Sequence, residues 1–205
     1  MNRDDDHITR EQSFGIIEQM IAAAKNEHRE KGDGWLIWGW LLFIASIVSA
    51  ILVATGHNNF IGWVWIGMVV IGFTIGFFLS EKRKKKDVVT TYIQDLLTKL
   101  GTGFFISLFV MIAASYITRS YYGFGYYYVL YAFWMFIHGS AIRFRPLIIG
   151  AFINWAAALA IFFTRDNFFF VMIISSIAIL AGYLIPGYML RSQFKKSHKA
   201  KSESR

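Results

Sequence analysis

"GWLIWGWLLFIASIVSAILVATGHNNFIGWVWIGMVVIGFTIGFFLS" occupies residues 34–80 and contains no Asp, Glu, Lys or Arg. A helix rises 1.5 Å per residue and crosses the hydrocarbon core of a bilayer in about 20 apolar residues. The block is therefore long enough for two passes, and "TGHNN" at 55–59 supplies the polar turn between them. Four more charge-free blocks follow, at 100–118, 120–142, 146–164 and 167–190, each long enough for one pass. The chain reads as all-α: a polytopic integral membrane protein, a bundle of six transmembrane helices near 35–54, 60–79, 102–118, 124–142, 147–163 and 168–190. The soluble alternative, six fully buried helices, needs a polar shell. With 56% apolar and 17% charged residues among 205, the chain does not supply one.

The cations orient the bundle. Assigning segments alternately to two sides puts 19 of the 21 Lys and Arg residues on one side and only Arg119 and Arg165 on the other. Under the positive-inside rule the rich side is cytoplasmic, which places both termini inside. One pass more or fewer would scramble the split, so it also supports the count of six. Residues 1–33 form a cytoplasmic N-terminal segment, 34–190 the membrane domain with a cytoplasmic connection at 80–101, and 191–205 a basic tail expected to be mobile. The first apolar block begins after more than thirty residues of polar sequence, so the first helix is expected to act as an uncleaved insertion signal. The placement expected is the bacterial inner membrane.

The net charge of +8 then has a lipid explanation rather than a nucleic-acid one. Lys82, Arg83, Lys84, Lys85, Lys86, Arg143, Arg145, Lys195 and Lys196 flank spans on the cytoplasmic side, where each cation attracts anionic headgroups by about 1 kcal/mol. Trp35, Trp38 and Trp40 at the inner boundary, with Trp63, Trp65 and the run Tyr121, Tyr122, Tyr126, Tyr127, Tyr128 at the outer one, read as interfacial belts.

The outer loops are short, so bulky contacts are expected inside. Thr9 and Gln12 form a capping box, after which Phe14, Ile17, Ile21, Ala24 and His28 recur with helical spacing. Residues 9–31 carry four bases and four acids. A helix lying on anionic lipid would show a basic polar face. This neutral one is expected to pack on protein: the molecule's own cytoplasmic face, a partner, or a second copy. Asp87 can cap a short interfacial helix with Val89, Ile93, Leu96 and Leu100 in line, leading into the third span.

Glycines mark packing and bending points. Gly72 and Gly76 have the small-xxx-small spacing that lets helix backbones approach. "GFTIGFFL" (72–79) is echoed by "GYLIPGYML" (182–190), and Gly182, Pro186 and Gly187 are expected to bend or end the sixth helix.

The remaining candidates for chemistry are His138 and Asn154, either side of the tight turn Arg143-Phe144-Arg145-Pro146 that makes an antiparallel hairpin. By helical rise, His138 lies roughly 6 Å inside one helix end and Asn154 roughly 12 Å inside the next. Gly150 comes level with His138, leaving space for the ring. Polar side chains at membrane depth are candidates for function by default; structural hydrogen bonding is the competing reading for both. The spans otherwise contain no carboxylate or cation. Ion-coupled transport usually needs such a carboxylate, and intramembrane metal sites need clustered ligands. With no cysteine and no phosphate-cradling glycine loop, no metal, cofactor or enzymatic activity is expected. Ser140 cannot serve His138 as a nucleophile, because residues two apart on a helix face different ways.

"GIIEQMIAAAKNE" (15–27) followed by "WLIWGWLLFIAS" (35–46), "FRPLIIGAFINW" (144–155) and "GYLIPGYMLR" (182–191) resembles a group of small six-helix bacterial inner-membrane proteins with a cytoplasmic amphipathic N-terminal helix. The group has no assigned activity, so the resemblance implies topology and source and carries over no site residue. Two functions remain in view: a non-enzymatic interaction or regulatory protein docking a partner or oligomerising through its cytoplasmic helices, and a small transporter or channel for a neutral or lipid-like solute using His138 and Asn154.

Overall fold

Helices account for the secondary structure throughout residues 32–84, 92–118, 123–164 and 167–203, the parts of the chain described by the computed structural model. They are α1 (Asp33–Ala54), a 3-10 turn (Asn58–Phe60), α2 (Ile61–Lys84), α3 (Tyr92–Thr118), α4 (Gly123–Ala141), α5 (Arg145–Phe163), α6 (Phe168–Ile179), a π-turn (Leu180–Leu184) and α7 (Ile185–Glu203). The last three run on as one rod, making six rods in all. Five are long and apolar enough to cross a membrane. The exception is α4, whose 19 residues include four tyrosines, three glycines, His138 and Ser140.

The rods fall into a core and a flank. α4 and α5 form the expected antiparallel hairpin, α1 lies along α6, and the π-turn rests on α5. The largest fully buried side chains, Met135, Leu147, Met172, Leu184, Asn154, Ser46, Ser49 and Ser175, all belong to these elements. α2 packs on α1 and α3 on α4, and the two flanking rods meet through Phe73 stacked on Phe109 with ring centroids 6.1 Å apart. Their outward faces are apolar: Trp63, Ile66, Phe77, Ile106, Val110 and Ile117 are all exposed.

The hairpin turn explains itself locally. Phe144 N–H donates to Gly139 O at 2.8 Å and Arg143 N–H to Ser140 O at 3.2 Å, the paired bonds of a Schellman cap. That cap needs a left-handed residue, and the position is filled by Arg143 at φ 53° instead of glycine. Phe144 is buried behind it, and Pro146 in the first turn of α5 gives up an N–H that would have no helical partner. Gly139 lets the helices approach here: a Cβ would stand 3.0 Å from Leu147 Cβ and 3.1 Å from Ile148 N.

Several expectations change. The tail is not irregular, because α7 carries it in helix to Glu203. Pro186 neither ends nor sharply breaks the sixth rod. Proline removes the N–H that would bond the carbonyl four residues back, Gly182 O, and its ring crowds that oxygen. The chain answers by widening one turn ahead, with Ile185 N–H reaching Leu180 O five residues back. From Tyr92 onward the helix expected to lead into the third apolar block is continuous with it as α3, while Asp87 and Val89 lie outside the described residues. Trp35 is a core residue, not part of a belt. The tyrosine run also divides, since successive residues on a helix turn by about 100°. Tyr126 is exposed, Tyr128 is buried, and the Tyr127 hydroxyl donates to Ser115 Oγ at 3.1 Å. The docking stripe of Phe14, Ile17, Ile21 and Ala24, and Lys85 and Lys86, lie outside the described residues, while Lys82, Arg83 and Lys84 close α2.

Candidate functional site around His138

His138 sits three residues before the end of α4, at the end of the bundle that also carries Arg143, Arg145 and Arg191. Its imidazole is buried and held between two indoles. Trp35 of α1 meets it edge-on at 5.1 Å between centroids and Trp134, one turn back on α4, at 5.3 Å. Tyr183 of the π-turn packs on Trp35 at 4.9 Å. Four rings from three rods thus converge on one point. Such tilted and edge-on pairs contribute about 0.5–1.5 kcal/mol each beyond area burial, so the geometry is that of a packed aromatic cluster with an imidazole inside it.

Asn154 belongs to a second, adjoining constellation. Its Nδ2 donates to Gly150 O at 2.8 Å on its own helix and contacts Met135 Sδ at 3.4 Å. At 2% exposure it lies well inside the bundle. Gly150 is not the notch for His138: a Cβ there would press on the carbonyl oxygen of Gly182 and lie 2.8 Å from Met135 Cε. A Cβ on Gly182 would stand 2.5 Å from Asn154 Nδ2 and 3.0 Å from Gly150 O. The carbonyl whose i+4 partner Pro186 removes is thus the one laid against Gly150. Proline, π-turn, two glycines and asparagine form one device: the π-turn presents main chain to main chain, and Asn154 fills the corner.

The other predicted positions separate from this centre. Gly187 receives Leu36 and Trp35 of α1, with its Cβ position 3.1 Å from Leu36 Cδ2. Gly72 receives the Trp38 ring, 2.7 Å from its Cβ position, and not another backbone. Gly76 has nothing within 4 Å. The echoed segments therefore do not occupy matching surroundings. Around the basic end, Gly32 caps α1 at φ 70°, packed on Gly187 O and Arg191 N. Asp33 pairs with Arg191 at 3.5 Å, and Trp40 Nε1 donates to Tyr188 Oη at 3.0 Å.

The polar residues that the sequence reading passed over are Ser46 and Ser49; Ser175 and Ser176 read there as hydrogen-bond partners for His138. Ser46, Ser49, Ser175 and Ser176 are buried along the α1–α6 seam. Ser176 Oγ donates to Met172 O at 2.8 Å. For Ser46 and Ser49 the only signal was spacing, three residues apart on α1, in a stretch that also reads as small-residue packing. Among the described residues no three His, Cys, Asp or Glu side chains come together as metal ligands would. No family model, no curated protein and no solved structure matches the chain.

Proposed function

We propose that the chain is a six-span integral protein of a bacterial inner membrane with both termini cytoplasmic, and that it works without enzymatic chemistry, docking a partner or a second copy on its cytoplasmic side. The observation that supports the membrane reading is the outward surface. α2 and α3 point Trp63, Ile66, Phe77, Ile106 and Val110 away from the protein. Water around such a surface would cost roughly 25 cal/mol per Å² of exposed apolar area; lipid removes that cost. α4 joins the spans in this reading, with Tyr127, Tyr128 and His138 turned inward.

The docking reading rests on where structured mass extends beyond the apolar rods. α7 continues past residue 191 as a basic helix, and α2 runs on to Lys84 at the same end. With Arg143, Arg145, Lys195 and Lys196 exposed or at turns there, that end offers a cationic face to anionic headgroups and a helical platform for the N-terminal segment. The chain has no cysteine, so single cysteines at Asn58 and Lys196 report sidedness cleanly. A membrane-impermeant thiol reagent applied to intact cells should label the first and spare the second; the reverse pattern overturns the orientation. Deleting residues 1–31 and repeating in-cell crosslinking tests the docking function. It predicts loss of a discrete adduct, and an unchanged adduct pattern refutes it.

A second reading, passage of a neutral or lipid-like solute, is favoured by one observation: the π-turn lies against Asn154 one helical layer from His138. A widened turn is a point where a helix can change register. Flux in proteoliposomes that is unchanged in His138→Ala and Asn154→Ala removes its support.

A further inference from the structure

Ser46 and Ser49 are 0% exposed, and among the described residues neither hydroxyl has a hydrogen-bond partner. Ser175, also 0% exposed, lies within reach of the Tyr128 hydroxyl, yet its Oγ makes no hydrogen bond of ordinary distance and angle. These residues come from three rods, and the register brings them together. Gly39 of α1 packs on Leu184, and Leu36 packs on Gly187. Counting outward along this antiparallel pair, and allowing for the extra residue a π-turn absorbs, brings Ser46 level with Ser175 and Ser176. Ser49 follows one turn further out. Tyr128 is placed at the same depth, five residues from the start of α4.

A serine inside a helix has an easy alternative, to bond the carbonyl four residues back, and Ser176 takes it with Met172 O. Ser46, Ser49 and Ser175 do not. Buried hydroxyls without partners are rare, and where several share one spot the usual partner is an internal water making about three bonds. We propose that Ser46, Ser49 and Ser175, with the Tyr128 hydroxyl, form a hydration site that holds ordered water inside the bundle, roughly 20 Å along α1 from Asp33 by helical rise. The site is separate from the His138 cluster, which lies at the start of α1. It stands whichever reading of the function holds.

Water is favoured over an apolar void because three buried hydroxyls and a phenol stand at one depth on rods that pack together. It is favoured over a direct serine–serine bond because none is formed. Synchrotron X-ray radiolysis of the full-length protein in detergent tests this, since hydroxyl radicals born from bound water attack the side chains beside it regardless of bulk exposure. Tyr128 is the reporter. It should be hydroxylated well above the level of other buried side chains such as Ile161, normalised to intrinsic reactivity. Oxygen-18 should enter Tyr128 when the protein is equilibrated in labelled water. Ser46→Ala combined with Ser49→Ala should reduce the rate several-fold, whereas Ser176→Ala should leave it unchanged because that hydroxyl is already bonded to its own helix. A Tyr128 no more labelled than Ile161 in the unmodified protein overturns the proposal without needing any variant to fold. Labelling that survives the double substitution overturns the assignment to these serines.

Discussion

Among the glycines of the described residues, Gly150→Ala should be the most damaging substitution. The added carbon would sit inside the van der Waals shell of Gly182 O and 2.8 Å from Met135 Cε. The Met135 thioether is the flexible end of a side chain and can swing aside. The carbonyl is main chain, fixed in the π-turn and backed by Pro186, so α5 and the sixth rod must part by about 1 Å to restore an ordinary contact. Overpacking a rigid core costs about 1–3 kcal/mol, and a main-chain partner puts this site at the top of that range. Alanine's better helix propensity returns about 1 kcal/mol, leaving a net loss of about 2 kcal/mol. For a chain of this size that corresponds to roughly 4–8 °C in the unfolding midpoint, read by fluorescence-detected size exclusion after heating in detergent. Two glycines calibrate the result. Gly72→Ala meets the far edge of the Trp38 ring at 2.7 Å, which can tilt, and should fall in between. Gly76→Ala meets nothing within 4 Å and should be neutral or up to about 1 kcal/mol more stable. A Gly150→Ala protein as stable as the parent, or one no worse than Gly76→Ala, refutes the claim that the π-turn carbonyl is packed on α5.

Asn154→Ala leaves a hole and removes the donor to Gly150 O, so the same assay should show a loss of about 2 kcal/mol; an unshifted midpoint would mean that the amide is dispensable. Arg143→Gly relieves a left-handed residue at φ 53° and should gain about 0.5–1 kcal/mol, whereas Arg143→Ala, equally strained, should change little. Equal effects of the two would show that the side chain matters and the backbone does not. Asp33→Asn breaks an ion pair between two partly exposed groups and should move the midpoint by no more than about 0.5 kcal/mol in stability. A larger drop would assign the Gly32–Arg191 corner a structural weight that its exposure does not suggest.

The rods were legible in the sequence because the lack of charge over twenty residues is a local property, and so were the hairpin turn and the place of Pro146. Partners were not. A helix that is apolar all round has no amphipathic stripe to say which face turns inward, so Trp35 could be read as an interfacial ring and proved to be core. Gly150 and His138 were matched by depth alone. Depth fixes one coordinate and leaves rotation about the axis open, and rotation aims Gly150 at Gly182 and His138 at Trp35 and Trp134. The π-turn escaped notice for a related reason. Pro186 announces that a bond is lost, but whether the helix kinks, stops or widens depends on what stands opposite, and a glycine on α5 lets the freed carbonyl approach.

α4 shows what an average over residues hides. Its tyrosines, glycines, histidine and serine leave it short of the apolarity of the other five rods. Yet its exposed positions, apart from Tyr126 and Ser140, are Val129, Phe133 and Phe136. Its polar atoms face protein: the Tyr127 hydroxyl reaches Ser115, Tyr128 stands beside Ser175, and His138 lies against Trp35. The cost of a polar group in lipid depends on the face it occupies, not on its presence in the helix. A rod that is polar inward and apolar outward can therefore sit among rods with apolar outward faces while supplying the interior with Tyr128 and His138. The composition that lowers α4's apolarity also contributes His138 to one cluster and Tyr128 to the other, so its shortfall is a mark of its place in the core.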